Sequence, residues 1–336
     1  MPYYFTLPLF TDMTAAQMAV LDQTEPVAIS GGPGTGKSVV SLWRHIRNHA
    51  TDLKTSILLT YTKTLETYLA QCASTENKSA GRAVDRTYLW KCAPYDEIII
   101  DEAQDVTEVH YQGLLPFAKS ISYGADDQQI LYPERSTTQA QLATLFPNNH
   151  LYELDTNFRN SFEIMEFVQA ALPNRLISHV MMESLKRNKK SGILPKCLVT
   201  NFDNNKQQKA ILDIISEFQS GTHNIGILLP LQKHVDSMYN FLQEQKVNCT
   251  RYFHNGEELG IIENVHVTTF KSAKGIEFDT VILPDFGSWK RNIDNLRVVE
   301  ENDYYVAFTR AKRNLYLISQ SNKIGVNIDT FETIIL

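Results

Sequence analysis

The feature that most constrains the fold is a glycine-rich turn placed between an apolar run and a stretch with helical spacing. The apolar run Val27–Ser30 is followed by residues 31–38, GGPGTGKS, and then by residues 39–49, VVSLWRHIRNH. This order satisfies G-x-x-x-x-G-K-[ST], which forms a loop between a buried strand and the N-terminus of a helix. Because glycines let successive backbone N–H groups turn toward one point, the segment predicts an α/β sheet with an anion cradle at a strand end.

The residue types in this loop are those of a polyphosphate site. Lys37 is placed to meet the β- and γ-phosphates of a nucleotide, and Ser38 to ligate Mg²⁺. A tight turn with an exposed lysine is the alternative, but it would not require four glycines. The phosphate-binding residues that we predict are Gly32, Pro33, Gly34, Thr35, Gly36, Lys37 and Ser38.

Another predicted strand contains three consecutive isoleucines, residues 98–100, which are followed by two adjacent carboxylates, Asp101 and Glu102. In a parallel sheet these residues lie at the carboxyl edge, where ligands of such sheets bind. We expect Asp101 to hold hydrated Mg²⁺ and Glu102 to orient or deprotonate an attacking water. A solvated acidic turn would account for one carboxylate, but not for a pair behind a phosphate loop.

Short apolar runs alternate with amphipathic stretches along the whole chain, which is typical of parallel strands joined by crossover helices. We therefore predict an α/β fold. The 336 residues suffice for two domains at roughly 150 residues each, and we place these at 1–160 and 161–336. The polar, basic segment 183–192 is interpreted as a surface loop. The predicted strands are Val27–Ser30, Ser56–Tyr61, Glu97–Asp101, Ser120–Gly124, Lys196–Phe202, Asn224–Pro230, His266–Phe270, Thr280–Phe286 and Asn314–Gln320.

Composition excludes several classes of protein. The net charge is −6, which argues against a protein that coats nucleic acid by bulk charge and leaves room only for a local basic groove. The four cysteines form no CxxC pair and have no histidine at zinc-ligand spacing. The apolar runs are far shorter than the roughly 18 residues that span a bilayer. We expect a cytoplasmic protein with reduced thiols.

Further segments complete an ordered set of motifs. They are residues 101–105 (DEAQD), 124–130 (GADDQQI), 157–161 (NFRNS), 269–279 (TFKSAKGIEFD) and 305–312 (YVAFTRAK). Together with the glycine-rich loop, this set resembles that of the UvrD/Rep-type superfamily 1 helicases over nearly the whole chain. The resemblance implies two RecA-like P-loop NTPase domains, with ATP and Mg²⁺ in the cleft between them and single-stranded nucleic acid across both.

The resemblance also implies roles for residues around the nucleotide. Gln17 matches the glutamine that reads adenine, with a surface helix residue as the alternative interpretation. Phe158 takes the place of the aromatic that stacks on adenine, with a buried core residue as the alternative. Glu277 resembles the residue that contacts the ribose, and it lies in the same motif as Lys274 and Gly275.

Three more positions resemble residues that act on the γ-phosphate. Gln128 matches the glutamine that senses this phosphate and couples it to the nucleic-acid track. Arg159 and Arg310 resemble two arginine fingers, which neutralise charge that develops on the transferred phosphoryl group. A structural ion pair is the alternative for either arginine.

The nucleic-acid track departs from the family pattern. Lys271 stands where the family usually has a histidine. After Gln128 the family usually has a tyrosine and then a tryptophan that stacks on bases, and Tyr132 takes such a place only if the alignment is shifted. An aromatic residue at a strand end is also typical of a core. The predicted nucleic-acid contacts are Tyr61, Thr62, Thr87, Trp90, Tyr132 and Lys271.

Two large inserted subdomains that grip and open duplexes in full-length family members have no room here. Only 16 residues lie between Ala70 and Thr87, and 12 between Tyr252 and Val265. For a chain without these subdomains, the resemblance implies an ATPase and translocase that is stimulated by single-stranded nucleic acid and moves 3′-to-5′ on DNA, with RNA as the alternative strand. We expect its unwinding to be weak or partner-dependent. The alternative function is an ATP-driven switch subunit docked on a protein partner, such as a nuclease in DNA repair or anti-phage defence, or RNA polymerase. A nucleotide-binding module without turnover is disfavoured because both carboxylates and both arginines are present.

Overall fold

The computed structural model describes Tyr3 and residues 7–51, 54–175, 177–253, 259–296 and 299–336. The chain divides into two compact units. The N-terminal unit is Phe5–Phe158, and the C-terminal unit is Arg159–Leu336 together with Met1–Tyr4. Across the described residues, no helix is both long enough and apolar enough to cross a membrane.

The N-terminal unit is built on a parallel sheet with the strand order β3-β2-β4-β5-β1-β6. Its strands are β1 Val27–Ser30, β2 Ser56–Thr60, β3 Val84–Arg86, β4 Tyr95–Ile100, β5 Ala118–Gly124 and β6 His150–Glu153. Its helices are α1 Ala15–Asp22, α2 Lys37–Thr51, α3 Lys63–Glu76, α4 Lys78–Arg82, α5 Glu108–Leu114 and α6 Gln139–Leu145.

Both faces of this sheet carry apolar side chains that pack against helices. In β4, Ile98 and Ile100 pack in a cluster that includes Tyr111 of α5. The intervening Ile99 packs in a different cluster with Leu42 of α2. Because successive side chains of a strand point to opposite faces, β4 is apolar on both and is buried between helices.

The C-terminal unit repeats this architecture with the strand order β13-β7-β12-β11-β8-β10-β9, again parallel throughout. Its strands are β7 Lys196–Val199, β8 Ile225–Leu229, β9 Thr250–Tyr252, β10 Val265–Thr269, β11 Phe278–Leu283, β12 Ala311–Ser319 and β13 Glu332–Ile335. Its helices are α7 Phe162–Ala171, α8 His179–Asn188, α9 Asn204–Phe218, α10 Gln232–Glu244, α11 Trp289–Leu296 and α12 Glu301–Thr309. The predicted α/β class with two RecA-like domains is confirmed.

Three details differ from, or add to, the sequence-based expectations. Residues 183–188 of the predicted surface loop form the end of α8, because Met181, Met182 and Leu185 share a buried face. Tyr3 lies outside the predicted second domain, yet its ring packs edge-to-face on Phe278 in the C-terminal unit. At the first short insertion point, the chain forms only the five-residue helix α4 between α3 and β3. The second insertion point includes residues 254–258, which lie outside the described residues.

Candidate functional site

The glycine-rich loop depends on glycine at two positions in particular. Gly31 has φ +141°, and a Cβ there would lie 2.3 Å from the carbonyl oxygen of Leu154. Gly36 has φ +90°, and a Cβ would lie 2.4 Å from Nε2 of Gln17. Both backbone conformations are rare for L side chains, so the loop closes only with glycine at these positions.

The Lys37 ammonium group is held inside this loop. Its Nζ donates to the carbonyl oxygens of Gly31 at 2.7 Å and Gly32 at 2.9 Å. Oδ2 of Asp126, which follows β5, lies 3.8 Å from the same nitrogen. Burial of the side chain strengthens these interactions, because the local dielectric constant is lower than that of water. The Lys37 ammonium group is therefore held near the end of β1, where the loop leads into α2.

Gln17 joins helix α1 to the loop. Its backbone N–H and side chain form a reciprocal capping box with Thr14, and its Nε2 donates to the carbonyl oxygen of Thr35 at 3.2 Å. The Thr35 hydroxyl donates in turn to the carbonyl oxygen of Gly32 at 3.0 Å. Gln17 is only 4% exposed, so the alternative of a surface helix residue is wrong.

Asp101 has the environment expected of a cation ligand. Burial raises the pKa of its carboxyl group to about 7, the neighbouring Glu102 adds to this rise, and a hydrogen bond from the Ser38 hydroxyl opposes it. Within the part of the chain that the structure describes, Asp101 Oδ2 is buried without a hydrogen-bond partner. The end of β5 packs close to this carboxylate, since a Cβ at Gly124 would lie in van der Waals contact with Asp101 Oδ1 at 3.5 Å. Hard divalent cations prefer such oxygen ligands, so Ser38 and Asp101 fit Mg²⁺.

Glu102 lies beside Asp101 in a left-handed backbone conformation with φ 56°. Strained conformations of non-glycine residues cluster at functional sites. The turn brings the side chain of Gln104 back toward Glu102, and Gln104 Nε2 donates to Glu102 Oε2 at 2.6 Å. The carboxylate is therefore buried and oriented by a hydrogen bond.

Two predicted residues lie on loops at the same edge of the N-terminal sheet. Phe158 donates its backbone N–H to the carbonyl oxygen of Gly34 at 2.8 Å, while its side chain is 43% exposed. The alternative of a buried core residue is therefore wrong for Phe158. The half-buried Gln128 lies in a 3₁₀ turn, where its backbone N–H donates to Oδ1 of Asp126 at 3.0 Å.

In the C-terminal unit, two residues expected to act on different parts of the nucleotide bind each other. Arg159 Nε donates to Glu277 Oε2 at 2.6 Å, and Lys312 Nζ lies 3.1 Å from Glu277 Oε1. Burial acts to raise the pKa of Glu277, but the charges and hydrogen bonds of Arg159 and Lys312 outweigh it and lower the pKa to about 2. The ion pair named as the alternative for Arg159 is present.

Arg310 is buried at the end of α12. Its guanidinium donates to the carbonyl oxygens of Val306 at 3.1 Å and Ile276 at 3.3 Å. Gly275, with φ 88°, and the buried Lys274 form the turn that precedes Ile276. These contacts anchor Arg310 to the motif that contains Glu277.

The aromatic residues expected to bind nucleic acid occupy two different settings. Tyr61 lies 6.0 Å from Tyr88 and 6.3 Å from Tyr132 between ring centroids, and the Tyr88 ring lies 4.4 Å from His110. Tyr88 is 44% exposed. We name Tyr61, Tyr88, His110 and Tyr132 the aromatic patch. Trp90 lies outside this patch.

Trp90 instead packs against Tyr95 and Phe117 at the margin of the core, with centroids 6.0 and 6.2 Å apart. Its alternative interpretation as a core residue is therefore favoured. Thr87 is buried with its hydroxyl 3.2 Å from the Thr60 carbonyl oxygen, and Thr62 caps α3. These two threonines therefore shape the loops that carry Tyr61 and Tyr88.

Lys271, on the C-terminal unit, lies 3.9 Å from Asp303 of α12.

The C-terminal unit also contains a cavity of about 270 Å³ beside Phe270 and Phe286. None of the predicted site residues lines the cavity. The predicted chemistry therefore does not coincide with it.

Parallel α/β units with a glycine-rich phosphate loop and paired carboxylates define a P-loop NTPase of the RecA-like class. Two families match parts of the chain: the UvrD-like helicase C-terminal domain over residues 252–322, and the Schlafen group 3 DNA/RNA helicase domain over residues 25–190. Together with the ordered motifs, these matches support a UvrD/Rep-like helicase of superfamily 1.

Three curated proteins are similar to parts of this chain, and two of them are named as ATP-dependent DNA helicases. A protein of Acanthamoeba polyphaga mimivirus, named provisionally as an ATP-dependent DNA helicase, is 26% identical over 68% of this chain and 35% of its own length. The ATP-dependent DNA helicase Rep of Buchnera aphidicola is 27% identical over 36% of this chain and 19% of its own. The RecBCD enzyme subunit RecB of Chlamydia pneumoniae is 32% identical over 25% of this chain and 9% of its own.

The chain thus spans about a third of the mimivirus protein and less of the other two. Among solved structures, the PRRSV helicase aligns with 92% of this chain and 55% of its own, at 16% identity and a TM-score of 0.46.

Proposed function

We propose that this chain is an Mg²⁺-dependent ATPase and translocase of the UvrD-like helicase type, stimulated by single-stranded DNA and moving 3′-to-5′. The single observation that carries the proposal is the arrangement at the edge of the N-terminal sheet. There, Lys37 Nζ lies 3.8 Å from Oδ2 of Asp126, which follows β5. The buried Asp101 and Glu102 follow β4, the strand next to β5. The names of the mimivirus and Buchnera relatives support ATP and DNA as the substrates.

In this proposal each residue has a distinct role. Lys37 and the loop N–H groups bind the phosphates, while Ser38 and Asp101 hold Mg²⁺, which supplies charge neutralisation at the phosphates. Glu102 accepts a proton from the attacking water, and its bond from Gln104 fixes the carboxylate in place. Arg159 and Arg310 neutralise charge on the transferred phosphoryl group.

The test is steady-state ATP hydrolysis by the whole chain with and without single-stranded oligonucleotides, in parallel with two variants. Lys37→Ala should abolish nucleotide binding, whereas Glu102→Gln should bind nucleotide as the parent does and lose hydrolysis. The proposal is supported if oligonucleotides raise parent turnover at least tenfold. It is wrong if Glu102→Gln hydrolyses ATP at the parent rate under saturating Mg²⁺ and ATP.

A second candidate function is an ATP-driven switch that acts on a protein partner and moves little along a strand. It is favoured by the five-residue helix α4, which occupies a position where full-length family members carry an inserted subdomain. The RecB relative is by name a subunit of a larger enzyme. High basal turnover that oligonucleotides leave unchanged would favour the switch over the motor.

A further inference from the structure

Gln104 connects two loops of the N-terminal unit through both the nitrogen and the oxygen of its side-chain amide. Its Nε2 donates to Glu102 Oε2 at 2.6 Å, and its Oε1 accepts from the backbone N–H of Asp126 at 3.2 Å. Its backbone carbonyl accepts from Thr137 N at 3.0 Å. The residue is completely buried, so these bonds do not compete with water.

The orientation of this amide is fixed by its partners. A backbone N–H can only donate, so the Gln104 oxygen must face Asp126, and the NH₂ group is thereby turned toward Glu102. A hydrogen bond to a charged carboxylate is shorter and stronger than one between neutral groups. The contact therefore limits where the Glu102 carboxylate can lie.

Asp126 extends the connection to the loop that carries the predicted γ-phosphate sensor. Its carboxylate accepts from Gln128 N at 3.0 Å and from Gln129 Nε2 at 2.7 Å, and it lies 3.8 Å from Lys37 Nζ. A continuous set of hydrogen bonds thus runs from Glu102 through Gln104 and Asp126 to the backbone of Gln128. A shift of the loop after β5 would move the amide that holds Glu102.

We propose that Gln104 is a positioning residue for hydrolysis: it holds the Glu102 carboxylate in register with the Asp126–Gln128 loop. The proposal deepens the function inferred above and rests on it. Because a misplacement of about 1 Å can cost roughly 100-fold in rate, loss of this hydrogen bond should lower turnover about 10- to 100-fold. Nucleotide affinity should stay within about twofold of the parent, because the two side-chain hydrogen bonds of Gln104 go to Glu102 and Asp126 and neither reaches the glycine-rich loop.

The test uses Gln104→Met, which keeps the volume of the buried side chain and removes its amide. ATP turnover is measured in single-turnover reactions, nucleotide affinity with a fluorescent ATP analogue, and folding by thermal unfolding. Gln139→Met is the matched control, because the Gln139 amide also bonds to the loop after β5, at Ala125 O, without touching Glu102. It should keep the parent turnover. If Gln104→Met does not fold, Gln104→Asn, whose side chain is one methylene too short to span both partners, replaces it.

The double variant Glu102→Gln/Gln104→Met separates a positioning role from a general structural one. If Gln104 acts through the Glu102 carboxylate, its loss should not lower turnover further once that carboxylate is gone. The inference would be overturned, with the proposed function intact, if Gln104→Met alone kept the parent turnover. It would also be overturned if Gln104→Met lowered turnover by the same factor in the parent and in Glu102→Gln. A parent chain that hydrolyses ATP no faster than Lys37→Ala would overturn the proposed function itself.

Discussion

Arg159 donates from Nε to Glu277 Oε2 at 2.6 Å, within the C-terminal unit. Lys312 contacts the other carboxylate oxygen at 3.1 Å, so Glu277 is shared between two cations. In the proposed ATPase, Arg159 must leave this partner or share it when it acts on a phosphoryl group. Glu277 orients the arginine, and in the proposed ATPase it would also compete with the substrate for it.

We expect Arg159→Ala to lower kcat roughly 10³-fold, because an arginine finger acts on charge that develops only in the transition state. Nucleotide affinity should change far less. Glu277→Gln is the matched variant, since it removes the countercharge and leaves Arg159 in place. If Arg159 serves only as the ion-pair partner of Glu277, the two variants will lose activity equally in steady-state assays.

Arg310→Ala should also lower kcat far more than ATP affinity, but it carries a structural cost. The buried guanidinium donates to the carbonyl oxygens of Val306 and Ile276, and the truncation leaves both without this donor. Thermal unfolding and turnover are therefore measured together, at temperatures well below the unfolding midpoint. Unchanged kcat in a destabilised but folded variant would show that Arg310 is purely structural.

Tyr88→Ala should weaken single-strand binding by about 1–3 kcal/mol, the usual worth of one stacked base, and leave basal ATP turnover unchanged. Tyr88→Phe is its control, because it retains the exposed ring and loses only the hydroxyl that accepts from Thr107 N at 2.9 Å. Trp90→Ala should instead lower thermal stability, because Trp90 packs on Tyr95 and Phe117. Fluorescence anisotropy of a labelled oligonucleotide measures the binding. A larger loss of strand affinity in Trp90→Ala than in Tyr88→Ala would reverse this assignment.

The sequence predicted the central strands because these strands are apolar on both faces. β2, β8, β10 and β11 are buried along their whole length, and such runs are visible without knowledge of tertiary structure. The four unpredicted strands, β3, β6, β9 and β13, are all at sheet edges. Residues 150–153 of β6 are mostly exposed, so their pattern resembles that of a loop. Edge strands owe their structure to a partner strand that the local sequence does not show.

Part of the candidate site was also visible in the sequence. The spacing of the motifs was enough to select Lys37, Asp101 and Glu102 as candidates for the phosphate chemistry. Gln104 lies within the segment 101–105, and Tyr88 lies next to the predicted contact Thr87. Their own contacts, however, depend on the left-handed turn at Glu102 and on the packing of His110. A linear motif names residue types, but it does not specify which side chain folds back and which stays exposed.

The stability of the N-terminal unit should fall as the pH is lowered from about 6.5 to about 4. Burial lowers the pKa of His45 to about 4; His49 also lowers it, while the Ala80 carbonyl opposes the shift. The unfolded chain therefore binds more protons than the folded chain between these pH values. At 1.36 kcal/mol per unit of pKa, the loss is about 3 kcal/mol.

Thermal unfolding of His45→Gln between pH 7.5 and 4 tests this expectation. The variant should be less stable than the parent at pH 7 but less dependent on pH. His150→Gln, the same substitution at an exposed position of β6, should keep the parent's pH dependence. Identical pH profiles for His45→Gln and the parent would show that His45 does not contribute.

The isolated chain should unwind duplex DNA poorly even while it hydrolyses ATP. In the UvrD/Rep type, opening depends on subdomains that hold the duplex against the advancing motor, and here α3 and β3 are joined only through the short helix α4. With a net charge of −6, the chain also offers few phosphate contacts, so strand binding should be weak and should fall steeply with salt. The measurement is fluorescence unwinding of a 3′-tailed duplex, run beside ATP hydrolysis on the matching single strand at several salt concentrations. Processive unwinding by the purified chain alone would contradict this prediction, and with it the view that mechanical work on a duplex requires a partner.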